Sequence, residues 1–582
     1  MNISVTLTPE LRLERALKAA GIEDPATVSK LTVSGMLIRD DFKYMKKNMS
    51  KTLQELDMGD ASFYRNRIPD YAFRDSTGLT SVIIPNSVKE IGYNTFSGCT
   101  GLTSVTIPDS VTEIDGWAFL GCTGLTSIVI PKSVTKIKYL AFKDCTGLIS
   151  ITIPDSVTEI GCGAFDGCIS LTSIIIPDSV TEIVSHAFCG CTGLTSIIIP
   201  DSVTEIEGCA FKDCTGLTSI TIPNSIVKFR RCIFMNCTGL TSIIIPASVK
   251  EIEDGAFSGC TALTDITTPP DNPVYTSENG ILFNKDKTEL IEYPKGRQGD
   301  YIIPDSVTEI GYGAFKGCIS LTSIIIPDSV TEIGGYAFQD CTGLTSISIT
   351  ASVAKIRYGA FMGCRGLNSI TVHSDNPFYV SENGVMFNKN KTKLIFYPLG
   401  RQGGYIIPDS VIEIGTGAFC GCNNLTSVTI PASVVTIEDS AFSDCSGLGS
   451  ITIPDSVKLI WDWAFSGCSG LSSIVIPDSV KKIGEWAFHS CTALTSVDIP
   501  DSVVEIGNHA FCDCDLRSVV IPDSVTEIGW NTFSSCSGLT SVYIPASVIK
   551  IHDDAFYDCP AFFTVHPDNP VYKSVNGKLK KK

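Results

Sequence analysis

Cysteine is the residue here whose type and regular spacing most suggest chemistry, since its thiolate can bind metals, form disulfides or act as a nucleophile. The chain has 24 cysteines, and 18 of them share one recurring position. Such a column brings neighbouring Cα atoms within disulfide range, but parallel Cβ vectors give poor disulfide geometry. We therefore predict reduced, buried thiols that pack a tight corner. The column consists of Cys99, Cys122, Cys145, Cys168, Cys191, Cys214, Cys237, Cys260, Cys318, Cys341, Cys364, Cys422, Cys445, Cys468, Cys491, Cys514, Cys536 and Cys559.

The other cysteines include CxC pairs such as Cys189 and Cys191, a spacing that can chelate a metal. Side chains alternate between inward and outward orientation along such a segment, so the two sulfurs are expected to point apart. We predict no metal site and no cofactor. The six cysteines outside the column are Cys162, Cys189, Cys209, Cys232, Cys420 and Cys512.

Histidines and carboxylates give no catalytic pattern. The sequence has six histidines and lacks the HExxH, GxSxG and Walker-type motifs and a GxGxxG in strand-to-helix context. Carboxylates recur in ladders, with Asp109 and Asp155 sharing one position and Glu113 and Glu159 another. General acid–base catalysis needs two unlike environments, whereas a ladder supplies many alike. The ladders favour a solvated acidic stripe over a calcium site, and we expect no enzyme.

All these residues belong to a repeat of 23 residues. The proline of the recurring IPDSV lies at Pro85 and returns every 23 residues through Pro269, with one step of 22 later, from Pro500 to Pro522. A second marker, the dipeptide AF, occurs in nineteen copies, three of which have Thr or Ile in place of Ala. Regular self-similarity at this period is typical of solenoid proteins.

Each repeat predicts one coil with an apolar interior. In one repeat the segment LxxIxIP reads as a short strand that ends at Pro108, because proline lacks an N–H for the ladder. VTEI adds a possible second short strand, and AFxGC a tight corner. One coil buries too little apolar surface to offset its ordering entropy, so neighbouring coils must stack. The predicted interior positions are Leu102, Val105, Ile107, Val111, Ile114, Ala118, Phe119, Cys122 and Leu125.

The pattern LTSIxIPDSVTEIGxxAFxGCTGL resembles the BspA-like, or Treponema-type, leucine-rich repeats of surface proteins, over residues 63 to 569. The stretch VSKLTVSGMLIRDDFKYMKKNMSKTLQELDMGDASF resembles the cap that precedes such arrays, with a helix near Asp41 to Met49 between two degenerate repeats. The resemblance implies a right-handed, curved and elongated leucine-rich-repeat solenoid with one parallel β-strand per coil. It also implies a bacterial cell-surface or secreted protein that acts in adhesion and protein binding. The degenerate repeats place Val28, Leu31, Val33, Leu53, Leu56 and Met58 inside.

Two inserted units interrupt the repeat. They begin PDNPVYTSENG and SDNPFYVSENG, are close copies of each other, and predict strands around NKDK and NKNK. A third, truncated copy begins at His566. The predicted segments are a cap at 1–62, a first array at 63–269, an inserted hairpin unit at 270–303, a second array at 304–373, a second hairpin unit at 374–407, a third array at 408–565 and a truncated hairpin unit with a tail at 566–582.

Net charge and hydropathy narrow the range of partners. A net charge of −18 opposes binding to nucleic acids and anionic lipids. No apolar stretch is long enough to span a membrane, and the N-terminus lacks the layout of a signal peptide. A cytoplasmic interaction scaffold therefore stays open beside the surface protein that the resemblance implies.

Two surfaces are candidates for binding a protein or a glycan. The strand position two residues before proline faces outward on the predicted concave sheet, where β-propensity and a docking role explain the apolar residues equally well. The second surface is an aromatic patch, explained either by corner packing or by carbohydrate binding. The outward row includes Ile83, Val129, Ile175, Ile198 and Ile244. The aromatic patch comprises Trp461, Trp463, Trp486 and Trp530.

Overall fold

A computed structural model describes residues 1–582, and these form two compact units. The first unit contains Met1–Lys287 and Tyr293–Arg297, and the second contains Thr288–Glu292 and Gln298–Lys582. Each unit is built from coils of about 23 residues, nearly all of which carry a three- to five-residue strand and then a shorter one.

The first unit begins with a cap. Its helices are Leu13–Ala19 and Arg39–Met49, its 3₁₀ turns Pro25–Thr27 and Tyr64–Asn66, and its strands Asn2–Leu7, Lys30–Leu37 and Ala61–Phe63. The first strands of the coils are Glu55–Asp57, Ser81–Ile83, Ser104–Thr106, Ser127–Val129, Ser150–Thr152, Ser173–Ile175, Ser196–Ile198, Ser219–Thr221, Ser242–Ile244 and Asp265–Thr267. The second strands are Arg67–Ile68, Glu90–Ile91, Glu113–Ile114, Lys136–Ile137, Glu159–Ile160, Glu182–Ile183, Glu205–Ile206, Lys228–Phe229 and Glu251–Ile252. Two strands of an inserted unit follow, Tyr275–Glu278 and Ile281–Asn284.

The second unit repeats the same plan. Its first strands are Gly299–Ile302, Leu321–Ile325, Ser346–Ile349, Ser369–Val372, Gly403–Ile406, Leu425–Thr429, Ser450–Thr452, Ser473–Val475, Ser518–Val520, Ser541–Ile544 and Phe562–Val565. Its second strands are Glu289–Glu292, Glu309–Ile310, Glu332–Ile333, Lys355–Ile356, Lys393–Phe396, Glu413–Ile414, Thr436–Ile437, Leu459–Ile460, Lys482–Ile483, Glu505–Ile506, Glu527–Ile528 and Lys550–Ile551. The remaining strands are Tyr379–Glu382, Val385–Asn388, Tyr572–Val575 and Lys578–Lys581.

The predicted stacking of parallel strands is confirmed. Ser127 pairs in register with Ser150, and Ser150 with Ser173, while Lys136 pairs with Glu159 in the second column. All nine predicted interior positions of the repeat from Leu102 to Leu125 are buried. The second short strand, suggested by VTEI, is also present.

Side chains as well as backbone groups link successive coils. Phe119 stacks on Phe142 with ring centroids 5.2 Å apart, and its N–H donates to Ala141 O at 2.8 Å. The Cys145 thiol donates to Phe119 O at 3.0 Å, and the Ser133 hydroxyl to a carbonyl of the preceding coil at 2.6 Å. These bonds explain why cysteine and serine recur, because each satisfies a carbonyl of the coil before it.

The cap confirms the predicted helix and degenerate repeats. Helix Arg39–Met49 covers the predicted segment, and the six predicted interior residues are buried. Strand Asn2–Leu7 and helix Leu13–Ala19 were not anticipated. The strand pairs in parallel with Lys30–Leu37. The start of the helix is held by Asp41, a buried carboxylate that pairs with Arg12 and accepts from the Leu13 N–H at 3.1 Å.

The second inserted unit contains an antiparallel meander. Strand Tyr379–Glu382 pairs with Val385–Asn388, which pairs in turn with Lys393–Phe396. The first of these strands was missed by the sequence analysis. Buried Asn376 joins the meander to the coil before it, because its Nδ2 donates to Thr350 O at 2.8 Å and Val353 O at 2.9 Å. The boundaries of the seven predicted segments stay a prediction.

Candidate interaction surfaces

The outward row on the first strands is apolar and exposed. Strands Ser173–Ile175 and Ser196–Ile198 each bury the middle residue and expose the residue on either side, as the two-residue period of a strand requires. The exposed fraction of the five predicted side chains runs from 44% at Ile83 to 78% at Val129. Thr106, Thr152 and Thr221 interrupt the row. Ile175 and Ile198 are therefore its pair of large apolar residues in adjacent coils of the first unit. A role of these residues in binding stays a proposal.

Acidic residues border this row. Asp178 and Asp201 follow Ile175 and Ile198 by three residues and are exposed, as the predicted solvated stripe requires. On the second strands, burial and the nearby carboxylates of Glu207 and Glu205 raise the pKa of Glu182. The two neighbouring carboxylates place three acidic side chains close together in this part of the first unit.

A second group of carboxylates forms ion pairs with basic side chains. The sequence analysis did not single out this group. Oxygen atoms of Glu90, Glu113 and Asp115 lie within 4.8 Å of one another, a separation that would suit a metal ion. Arg67 bonds Glu90 at 2.6 Å and Asp115 at 3.0 Å, and Lys138 contacts both Glu113 and Asp115. Because two cations already balance most of the charge, we interpret the group as an ion-pair network that joins four successive coils.

None of the 24 cysteines is in a disulfide, and the predicted burial of the column is confirmed. The column residues are buried, apart from Cys559, which is half-buried. Burial raises the pKa of the Cys122 and Cys145 thiols well above the usual range for cysteine. The fraction present as reactive thiolate is therefore very small. Of the other six, Cys162 is exposed and Cys189 is buried, and neither belongs to a group of metal ligands.

The four tryptophans of the aromatic patch divide into separate contacts. Trp463 and Trp486 stack, with centroids 4.8 Å apart and planes 5° apart. Trp486 also stacks on His509 at 3.7 Å, a partner that the sequence analysis missed. Trp530 lies against His552 at 4.5 Å, while Trp461 has no ring partner.

The backbone at these stacked rings is unusual. Trp463, Trp486 and His509 have φ of 58–59°, the left-handed region, at a position where other coils have glycine, such as Gly163 and Gly417. A bulky residue there costs about 1–2 kcal/mol, and ring stacking between coils returns a similar amount. Stacking also covers ring faces that a sugar would need. The arrangement therefore favours the corner-packing interpretation of this patch.

The stacked coils, their two parallel strand columns and the exposed outer row define a leucine-rich-repeat solenoid, a class whose repeats build extended surfaces. The chain belongs to the BspA-type leucine-rich repeat family. The model of that family, a region of six repeat copies, matches residues 66–195, 181–299, 297–398, 394–514 and 462–572. The resemblance seen in the repeat is thereby confirmed.

Solved leucine-rich repeat proteins are similar in sequence over most of the chain. One from Bacteroides ovatus is 25% identical, covering 84% of this chain and 92% of its own, with a TM-score of 0.32. A leucine rich cell surface protein from Faecalibacterium prausnitzii is 31% identical, covering 70% and 82%, with a TM-score of 0.30. The family assignment rests on the repeat sequence, since these TM-scores are low. A comparison with curated proteins gives no match.

No helix in the structure has the length and apolar character needed to cross a lipid bilayer.

Proposed function

We propose that this protein is a non-enzymatic scaffold that binds a protein partner along the exposed face of its first strands. The observation that carries this proposal is the row of large aliphatic side chains in solvent, with Ile175 and Ile198 exposed by 76% and 71% in adjacent coils. Exposed apolar surface in a regular array is typical of a docking site.

The chemistry around the row selects the kind of partner. The acidic residues that border it, including Asp178 and Asp201, would attract a partner with an apolar centre and a basic rim. Complementary charge of this kind raises the association rate and fixes register more than it adds affinity. Salt should therefore slow binding.

The absence of a catalytic motif supports a binding role rather than an enzymatic one. The carboxylates repeat in similar environments, and the buried thiols of the cysteine column, such as Cys122, are protonated. These features supply neither a paired acid and base nor an activated nucleophile.

We further propose that the protein acts at the cell surface or after secretion, as the family resemblance implies. Buried thiols are sheltered from oxidants, so the cysteine column is compatible with an oxidising exterior. Fractionation of producing cells, with protease treatment of intact cells, tests this location. Recovery of the protein only from the cytoplasm would support the alternative of a cytoplasmic scaffold.

The binding face is tested with charge substitutions. The intact protein is used to capture partners from surface extracts of host or neighbouring cells, and the double variant Ile175→Lys/Ile198→Lys is compared with it. Both residues face solvent, so folding should survive while capture of the same partner falls. The matched control is Val227→Lys, which places a lysine at an exposed aliphatic residue beside the second strands and should leave capture unchanged.

The carbohydrate alternative predicts the opposite result. Capture that persists in the isoleucine variant but is lost in Trp463→Ala/Trp486→Ala would move the site to the aromatic patch. A glycan array with the same variants would then identify the ligand class.

A further inference from the structure

An open cleft lies where the cap meets the first full coil of the first unit. Its volume is about 540 Å³, and it is bounded by the end of strand Lys30–Leu37 and by strand Arg67–Ile68. Its apolar wall includes Met36, Ile38 and Tyr64, whose exposed fractions are 49%, 36% and 69%. Three such side chains at one opening form an unpartnered apolar pocket.

The polar lining of this cleft is basic, although the whole chain is acidic. Three arginines line it, against one carboxylate, Asp70, while the chain has a net charge of −18. Arg67 is committed to Glu90, Asp115 and Asp70. Arg39 is exposed and has no carboxylate partner, and the Arg65 guanidinium lies 5.2 Å from the Tyr64 ring centroid.

The backbone beside the cleft holds Arg65 at the opening. Arg65 and Asn66 both have left-handed φ, 57° and 53°, although neither is glycine. Two such residues in succession are strained, and they turn the chain sharply just before strand Arg67–Ile68.

Strand Arg67–Ile68 ends its column. It pairs with Glu90–Ile91 and with no other strand, and Arg67 of this strand lines the cleft, which places its unpaired edge beside the cleft. An open strand edge can accept the backbone of an extended peptide. This edge favours a peptide over a lipid or another small amphiphile, which would have no use for backbone groups.

We propose that the cleft binds an extended acidic segment of a partner protein. The segment adds a short strand to Arg67–Ile68, places an aromatic or aliphatic side chain against Met36 and Tyr64, and pairs its carboxylates with Arg39 and Arg65. This site is separate from the first-strand face, and its test does not depend on the proposed function.

The probe is a fluorescein-labelled peptide with the sequence Thr-Val-Glu-Phe-Asp-Val-Thr, titrated into the full chain and followed by fluorescence anisotropy. Binding is expected in the micromolar range, and replacing Glu and Asp by Lys in the peptide should abolish it. The protein variant Arg39→Glu/Arg65→Glu should weaken binding about tenfold or more, since each charge-assisted contact contributes roughly that factor. The matched control Arg15→Glu makes the same kind of charge change on the exposed surface of helix Leu13–Ala19, outside the cleft.

Several results would overturn this proposal. No binding at about 1 mM peptide, or equal weakening by Arg15→Glu, would show that the cleft does not recognise the segment. Displacement of the peptide by laurate at the same site would assign the cleft to small amphiphilic carboxylates. If Arg39→Glu/Arg65→Glu binds peptide normally but self-associates, the arginines protect the strand edge only. Circular dichroism of each variant establishes that the fold is intact.

Discussion

At the scale of single residues, the cysteine column shows how a reactive side chain is used for structure. Most of its thiols donate to a phenylalanine carbonyl of the preceding coil, as Cys168 does to Phe142 O at 3.2 Å, and Cys422 donates to Tyr397 O. Burial keeps these thiols protonated, so the donor proton stays in place and the sulfur is a poor nucleophile.

Thiol reactivity should therefore follow exposure. At pH 8 a disulfide reagent should react first with Cys162, whose pKa is raised by burial and by Glu207 but which is exposed. The column cysteines other than half-buried Cys559 should react only after unfolding in guanidinium, when the total approaches 24. In Cys162→Ser the fastest phase should disappear. Reaction of half the column in the native protein would contradict this assignment.

The two histidines beside the stacked tryptophans predict a pH dependence of stability. Burial lowers the pKa of His489 and of His509 below the usual 6.5, and Nδ1 of His509 is buried without a hydrogen-bond partner. The histidines of the unfolded chain then bind protons more tightly than those of the folded chain. The free energy of unfolding should therefore fall as the pH drops below about 6.5.

Urea unfolding at pH 7.5 and pH 5.5, followed by tryptophan fluorescence, measures this effect. The loss of stability between the two pH values should be smaller in His489→Gln/His509→Gln than in the wild type. An equal loss in both proteins would assign the pH dependence to carboxylates instead.

At the scale of elements, a buried amide helps to attach the inserted unit to the coil before it. Asn376 donates to two carbonyls of the preceding coil, and its Oδ1 accepts from the N–H groups of Phe378 and Tyr379 at 2.9 and 2.8 Å. Asn272 and Asn569 make the same four contacts in the other two copies of the motif. In each copy, the asparagine of the DNP sequence thus links a turn to the coil that precedes it.

Removing this amide should loosen the coil before it. Asn376→Ala leaves buried donors and acceptors unpaired, which should cost at least about 2 kcal/mol. Amide hydrogen exchange should increase over residues 350–356. The control Asn368→Ala, in which an exposed side chain bonds only Gly366 O, should cost less than about 0.5 kcal/mol. Equal exchange in the two variants would show that the amide is dispensable.

At the scale of the whole molecule, each coil contacts mainly its neighbours, so stability is expected to be local. Phe165 is fully buried and stacks on Phe142 and Phe188 at 5.6 Å. Phe165→Ala should cost about 3–5 kcal/mol through lost burial and a cavity.

Hydrogen exchange after Phe165→Ala should show where this loss is felt. Protection should fall most in the coils that carry Phe142 and Phe188, and less in coils further along the first unit. A uniform loss across the first unit would show that it unfolds as one cooperative block instead.

Much of this architecture follows from local chemistry that repeats every 23 residues. The two-residue alternation in SII, the proline that ends each first strand, and the apolar positions from Leu102 to Leu125 predicted the coil, its core and its thiol column. Each of these features depends on residues within one coil and on identical neighbours, so periodicity alone is sufficient to predict them.

The contacts that break the repeat were not predictable in this way. Arg67 forms a hydrogen bond with Asp115, which lies 48 residues further along the chain. The cleft lined by Arg39, Arg65 and Arg67 lies where the cap meets the first full coil. His509 completes an aromatic stack that tryptophan spacing alone did not reveal. Such contacts depend on side-chain direction and on packing between unlike segments. A repeat pattern specifies which residues share a column, whereas the folded chain sets which non-repeating side chains meet and which stay exposed.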